Sequence, residues 1–283
     1  MVATGIKAGV WKEPWGVVMM PSLALVFFSW WVILKEKGIL AAIEERYLNV
    51  IVQWINMKIS LILLGFLSLM VGCDTIFRKT PSDAQNVDFL TTSDDVKLSS
   101  SFVDSGQNAI LLLHQLNSDK SAYLGFQDAL KGEGYSSIAL DFRGHGNSDG
   151  DWQKFSENDF QNMVLDAEAA KSFLESRGKN VVGIVGASIG ANIAAQMNAK
   201  HGMKAVLLSP GLNYRGIDFE GTIPELRDVL IVTSREDAYS AEALKKAKGI
   251  NPSIKEIVLE GGGHGTNMLN EELEEEILGF FEK

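Results

Sequence analysis

Cysteine is nearly missing from this chain. Cys73 is the only one in 283 residues, so no intrachain disulfide can form and no cysteine-rich zinc site can be built. Histidine is scarce as well. His114, His145, His201 and His264 include no His-x-x-x-His or other close pair, so no metal site is expected; no cofactor is expected either. A surplus of basic charge is also lacking: 26 Lys and Arg face 36 Asp and Glu, for a net charge of −10. Nucleic acid is thereby excluded as a partner, because phosphate binding needs a basic face. No internal repeat or low-complexity tract stands out. With 46% hydrophobic and 22% charged residues the composition is that of a globular protein, and the length suits one or two domains. Oligomeric state is not encoded in any of these features.

Long apolar runs, by contrast, crowd the front of the chain. Residues 17–34 form one nearly uncharged stretch of membrane-spanning length, followed by Lys35, Glu36 and Lys37. A second run, 59–72, follows Met57-Lys58 and closes at Cys73. It is short for a bilayer span but has the layout of a secretory signal: a Met, one Lys, an apolar core and then small residues. Its end, Leu69-Met70-Val71-Gly72-Cys73, resembles a bacterial lipobox, with Met70 where leucine is usual. That resemblance implies a lipid on Cys73, which becomes the new N-terminus. Such a signal starts a chain, so Met57 is expected to be the true start and 1–56 a miscalled extension. The alternative is a genuine membrane-spanning helix within 1–56. Either arrangement anchors the chain to a membrane, and a lipid on Cys73 puts the remaining domain outside the cytoplasmic membrane, in the periplasm or at the cell surface. Asp74 after the cysteine resembles the signal that retains some lipoproteins at the inner membrane.

Residues 74–86 turn polar around Pro81 and read as a linker. From 87 to 283 the pattern becomes regular. Strand-like runs fall at 87–92, 96–103, 109–114, 137–141, 181–186, 205–209, 229–233 and 254–259, and helical patterns intervene from the third run onward. One helix is expected to carry Phe160, Met163, Val164, Ala167 and Leu174 on a single face, with Ser156 as N-cap and Gly178 as its stop. The last helix begins at an Asn270 N-cap, with Glu271 and Glu272 in its first turn where the helix dipole favours acid. An opening hairpin followed by β-α repeats predicts an α/β fold: a mostly parallel, eight-stranded sheet with helices on both faces.

The strand at 181–185 runs straight into Gly186-Ala187-Ser188-Ile189-Gly190, and an alanine-rich helix follows as far as His201-Gly202. The bare pattern Gly-x-Ser-x-Gly is weak. Between a strand and a helix it is strong, because that turn crowds the backbone until glycine is needed and pushes the serine hydroxyl out above the sheet. A nucleophilic serine needs a base, and the base needs an orienting acid. The strand at 229–233 ends in Ser234-Arg235-Glu236-Asp237, and that at 254–259 leads to Gly261-Gly262-Gly263-His264-Gly265. Both groups therefore belong to loops at the C-terminal ends of strands, where open α/β sheets place their sites. Glu236 and Asp237 both remain candidates for the acid on these grounds.

At this point residues 87–283 resemble the α/β-hydrolase superfamily. The resemblance rests on the elbow at Ser188, on Leu112-Leu113-His114 at the end of a strand, and on Asp141-Phe142-Arg143-Gly144-His145-Gly146-Asn147-Ser148 after the next. It implies a triad of Ser188 (nucleophile), His264 (general base) and Asp237 (orienting acid, preferred over Glu236 for its family position). It implies an oxyanion hole from the amide of Ile189 and that of Leu116 or Gln115. Gln115 stands where the family usually has glycine, which leaves the second donor open. His114 and His145 are expected to bond loop backbone, and His201 to sit at the surface. Tyr123 and Asn117 are candidate pocket residues. Between Pro210 and Leu226 there is no room for a large cap, so an open, lidless site is expected.

The activity so implied is hydrolysis of a small acyl ester through an acyl-enzyme, with thioesterase or small peptidase as alternatives within the class. The alternative from another class is a membrane-tethered binding protein that keeps the scaffold without catalysis, since fold does not guarantee activity.

Overall fold

A computed structural model describes residues 85–282. The expected divisions at 1–56 and 57–73, Cys73, and most of the 74–86 linker lie outside the described residues. Among the described residues no helix is long and apolar enough to cross a membrane.

The chain opens with β1 (Gln85–Thr91) paired antiparallel to β2 (Lys97–Val103). The sheet therefore begins two residues earlier than the expected 87, and Gln85 and Asn86 are strand rather than linker. Next come β3 (Asn108–Leu113), α1 (Leu124–Gly132), β4 (Ser136–Leu140), α2 (Glu157–Gln161) and α3 (Val164–Ser176). They are followed by β5 (Asn180–Ala187), α4 (Ile189–His201) and β6 (Lys204–Leu208). A small hairpin of β7 (Asn213–Tyr214) and β8 (Ile217–Asp218) precedes β9 (Val229–Ser234), α5 (Ala238–Ile250), β10 (Lys255–Leu259) and α6 (Glu271–Glu282).

The main sheet has eight strands in the order β1-β2-β4-β3-β5-β6-β9-β10. All neighbours from β4 to β10 run parallel. Its centre reads as unbroken apolar runs because both faces are covered. In β3, Ala109, Leu111 and Leu113 face the core under α3 and α4, while Ile110 and Leu112 face that under α1 and α6. All five are fully buried. Each leucine or isoleucine so placed contributes roughly 1.5–3 kcal/mol relative to exposure. In α6 the buried set Leu273, Ile277, Leu278 and Phe281 follows helical spacing, and Asn270 caps the helix by accepting the Leu273 N–H at 2.9 Å.

The single helix expected through 160–174 is instead two, α2 and α3. Ser156 does cap the first, in a reciprocal capping box with Asp159. The break falls at Asn162–Met163, where i→i−3 bonds replace the α pattern: Met163 N–H to Phe160, Leu165 N–H to Asn162 and Asp166 N–H to Met163. The buried Asp166 beyond it receives the Arg143 backbone N–H and Nε, each at 2.8 Å. The apolar periodicity survives the break, which is why it hid in the sequence.

Candidate active site

Order within the sheet decides where the site lies. After β3 the chain crosses to β4 on one side, then returns to β5 on the other, so the loops leaving the C-terminal ends of β3 and β5 diverge and open a crevice. His114–Asn117 leaves β3 there and Ser188 leaves β5. Further along the same edge, Asp237 follows β9 and His264 follows β10.

Ser188 sits at φ 54°, ψ −116°, a conformation side chains other than glycine rarely adopt. The surroundings over-determine it. Its N–H donates to the Leu208 carbonyl at 2.8 Å. A Cβ on Gly190 would come within 2.5 Å of the Leu113 carbonyl oxygen, and one on Gly186 would collide with the Gly190 carbonyl. Glycine at both positions is therefore a packing requirement of the elbow. Ser188 is 7% exposed.

His264 Nδ1 lies 2.7 Å from Asp237 Oδ2. With the N–H of Nδ1 turned to the carboxylate, Nε2 carries the free lone pair. Asp237 is also the N-cap of α5, its Oδ1 accepting the Ser240 N–H at 3.2 Å, so the helix fixes the acid. Glu236 is directed elsewhere: its carboxylate accepts the Gly263 N–H at 3.2 Å. Of the two adjacent acids, Asp237 is the one that touches the imidazole.

The histidine loop is tied to the other loops by two bonds. Gly265 N–H donates to Ser209 Oγ at 3.0 Å, one residue beyond the carbonyl that holds Ser188. Gln115 Oε1 accepts the Thr266 N–H at 2.7 Å and its hydroxyl at 3.1 Å. The residue that replaces the usual glycine thus links the loop after β3 to the loop carrying His264. Among the described residues, no turn or loop hydrogen bond is donated by the backbone N–H of Gln115, Leu116 or Ile189.

The remaining histidines do other work. Buried His114 accepts the Phe142 N–H on Nε2 at 3.0 Å, so Nδ1 bears the proton and donates to the Gln115 carbonyl at 2.7 Å. Burial holds it well down, to about 4, and the ring is neutral. His145 contacts the Arg143 carbonyl through Nδ1 at 3.0 Å and stacks on Trp152. His201 pairs with Glu168 at the surface.

Tyr123 is not a pocket residue. Its ring is fully buried and its hydroxyl donates to the Leu113 carbonyl at 3.0 Å. Between Pro210 and Leu226, where a large cap was not expected, the chain forms only the small β7–β8 hairpin, which lies beside the site. It brings Tyr214, which sequence reading passed over, beside Ser188. Two-residue strands are too short to show a period, and no motif marks the tyrosine. Among the described residues no cluster of three or more His, Cys, Asp or Glu could hold a metal.

A strand-to-helix serine elbow at the switch point of a mostly parallel sheet defines a class of folds, and the chain has the α/β-hydrolase fold. Residues 104–243 match the family described as Hydrolase_4, serine aminopeptidase, S33. Among solved structures, an esterase of Pyrococcus furiosus is similar at 19% identity and TM-score 0.59, covering 71% of this chain and 90% of its own. An esterase from Exiguobacterium antarcticum is similar at 16% identity and TM-score 0.57, covering 69% of this chain and 99% of its own. A structure described as a membrane phospholipase A aligns over 84% of this chain and 98% of its own, at 15% identity and TM-score 0.57. No curated protein matches the sequence. At 15–19% identity these structures share the fold with this chain.

Proposed function

We propose that the protein is a serine hydrolase that cleaves a small acyl ester through an acyl-enzyme on Ser188. The observation that carries this reading is the 2.7 Å contact between Asp237 and His264 Nδ1, on the sheet edge that also bears the strained Ser188 elbow. His264 Nε2 takes the Ser188 proton as Oγ attacks the acyl carbon. Asp237 fixes the tautomer and stabilises the imidazolium. The oxyanion is received by the Ile189 N–H and by that of Leu116 or Gln115, which have no protein acceptor among the described loop bonds. Each such donor is worth roughly 3–4 kcal/mol in comparable sites. His264 then returns the proton to the leaving alcohol, and water repeats the sequence to free the acid.

A peptidase reading is favoured by one observation, the aminopeptidase name of the matched family. The geometry described serves either carbonyl, so the substrate arm of the test separates them. The full-length chain is incubated with a fluorophosphonate and mapped by peptide mass, then assayed on p-nitrophenyl esters, thioesters and aminoacyl amides. Adduct on Ser188, absent in Ser188→Ala and lost in His264→Ala, is the expected result, with turnover greatest on esters. A folded protein that takes no adduct overturns the reading and leaves the scaffold as a binding module.

The same proposal includes a membrane tether, with a lipid on Cys73 and the catalytic domain outside the cytoplasmic membrane. It rests on the signal-like layout of residues 57–73. Intact mass of the native protein checks it: a mature chain that begins at Cys73 with added acyl mass agrees, and one that retains earlier residues refutes it.

A further inference from the structure

The β7–β8 hairpin is too small to be a cap, yet it is fastened with unusual economy to the two helices that carry the site. Asn192, one turn into the helix that begins after Ser188, is fully buried and spends its whole amide on the hairpin. Its Oδ1 accepts the Gly211 N–H at 3.2 Å, and its Nδ2 donates to the Gly211 and Ile217 carbonyls, both at 2.9 Å. From the other side comes Tyr239, two residues after Asp237. Its hydroxyl is within 3.2 Å of the Asn213 N–H and 3.1 Å of the Asn213 carbonyl. Arg215 and Gly216, at φ 54° and 86°, form the tight turn, whose two left-handed residues match the twist of a two-residue hairpin.

These anchors flank one side chain. Tyr214 packs edge-on against Tyr239 with ring centroids 5.5 Å apart. Its ring also crosses Gly211, where a Cβ would come within 2.6 Å of Tyr214 Cζ, so only glycine leaves room for it. Its hydroxyl lies near Ser188 and feels the charge of Asp237. The strand that bears it is thus held to the helix after Ser188 by buried bonds and to the helix after Asp237 by bonds at the surface.

We propose that Tyr214 is a further catalytic group of this site, donating a phenolic hydrogen bond to Ser188 Oγ whenever that oxygen carries negative charge. The inference rests on the serine-hydrolase reading above. In acylation the Ser188 proton passes to His264 Nε2 as the bond from Oγ to the acyl carbon forms. In deacylation that bond breaks, and Oγ leaves as an incipient alkoxide that takes its proton back from His264. Tyr214 keeps its own proton throughout and stabilises the oxygen at both moments. Burial pushes its hydroxyl up to about 12, so it remains a donor across the working range of pH.

The test uses the full-length chain and three variants: Tyr214→Phe, Tyr214→Ala and Ser188→Ala. Tyr214→Phe should lower kcat on p-nitrophenyl butyrate by about tenfold to a hundredfold, since a neutral donor contributes less than a charged one. It should slow fluorophosphonate labelling of Ser188 in the same proportion. KM and the melting temperature should hardly change, and the pH profile should drop without shifting. A Tyr214→Phe enzyme with wild-type kcat overturns the inference, as does a kcat loss seen only in Tyr214→Ala, which would mark the ring as packing. If wild-type Ser188 takes no label, the hydrolase reading itself falls. If Ser188 is labelled and Tyr214→Phe reacts as fast, only the tyrosine is refuted.

Discussion

The turn after β4 gathers Asp141, His145 and Ser148 within eight residues, whereas the candidate site draws Asp237, His264 and Ser188 from three separate loops. The side-chain types are the same and the environments are opposite. In the compact turn most polar groups are tied up by hydrogen bonds within the turn or to neighbouring segments, the buried Nε2 of His145 excepted. Asp141 is fully buried and accepts the Lys120 N–H at 2.8 Å, Lys120 Nζ at 2.7 Å and the Asn147 N–H at 2.9 Å. Ser148 donates to the Asp141 carbonyl at 2.6 Å and receives the Ser99 N–H. Arg143 is clamped between Asp166 and Asp94, and the Arg143 guanidinium holds the Asp94 carboxyl down at about 2. At the dispersed site the bonds fix positions but leave reactive atoms open: the His264 side chain is 40% exposed and, among the described residues, only its Nδ1 is engaged. Chemistry at a sheet edge depends on which lone pairs are left over, more than on which residue types are present.

That contrast can be broken from either side. Asp237→Asn should lose about 10⁴-fold in kcat by presenting the wrong imidazole tautomer, while Asn still caps α5 and the melting temperature holds. Steady-state kinetics beside a thermal melt would check both halves; a loss under tenfold would mean that Asp237 does not orient His264.

Asp141→Asn should do the reverse. It sets an amide donor against Lys120 and the Asn147 N–H in a dry site, at a cost of about 3 kcal/mol of stability, with kcat per folded molecule within a few-fold of wild type. Urea unfolding with activity normalised to the folded fraction reads it.

A further effect is one of pH. Burial depresses His114 from 6.5 to about 4, so the folded protein refuses a proton that the unfolded chain accepts. The associated stability, on the order of 3 kcal/mol, is complete above about pH 6.5 and is lost as the pH falls toward 4. His114→Asn should be less stable at pH 7.5 yet show a flatter decline over that interval, in unfolding titrations at stepped pH.

Much of this molecule was legible in one dimension because its signals are local. Continuous Val, Ile and Leu runs separated by helical periods declared a parallel sheet, since burial on both faces removes the alternation of a half-exposed strand. The elbow announced Ser188 for a steric reason: only glycine fits at positions 186 and 190. Loops at strand ends then narrowed the acid to Glu236 or Asp237 and the base to His264. What the sequence left open depended on contacts between distant segments. The break between α2 and α3 is invisible to apolar periodicity. Gln115 read as a departure from a glycine, and only its bonds to Thr266, 151 residues away, gave it a task. Tyr214 carries no motif at all. Its place beside Ser188 comes from Asn192 and Tyr239 grasping a hairpin of two-residue strands, a long-range agreement of hydrogen bonds that no local pattern encodes. Sequence by itself determined the sheet and the serine elbow, through sterics and burial along the chain; tertiary structure alone decided which acid meets the histidine and what stands beside the serine, because those are settled by distances across space.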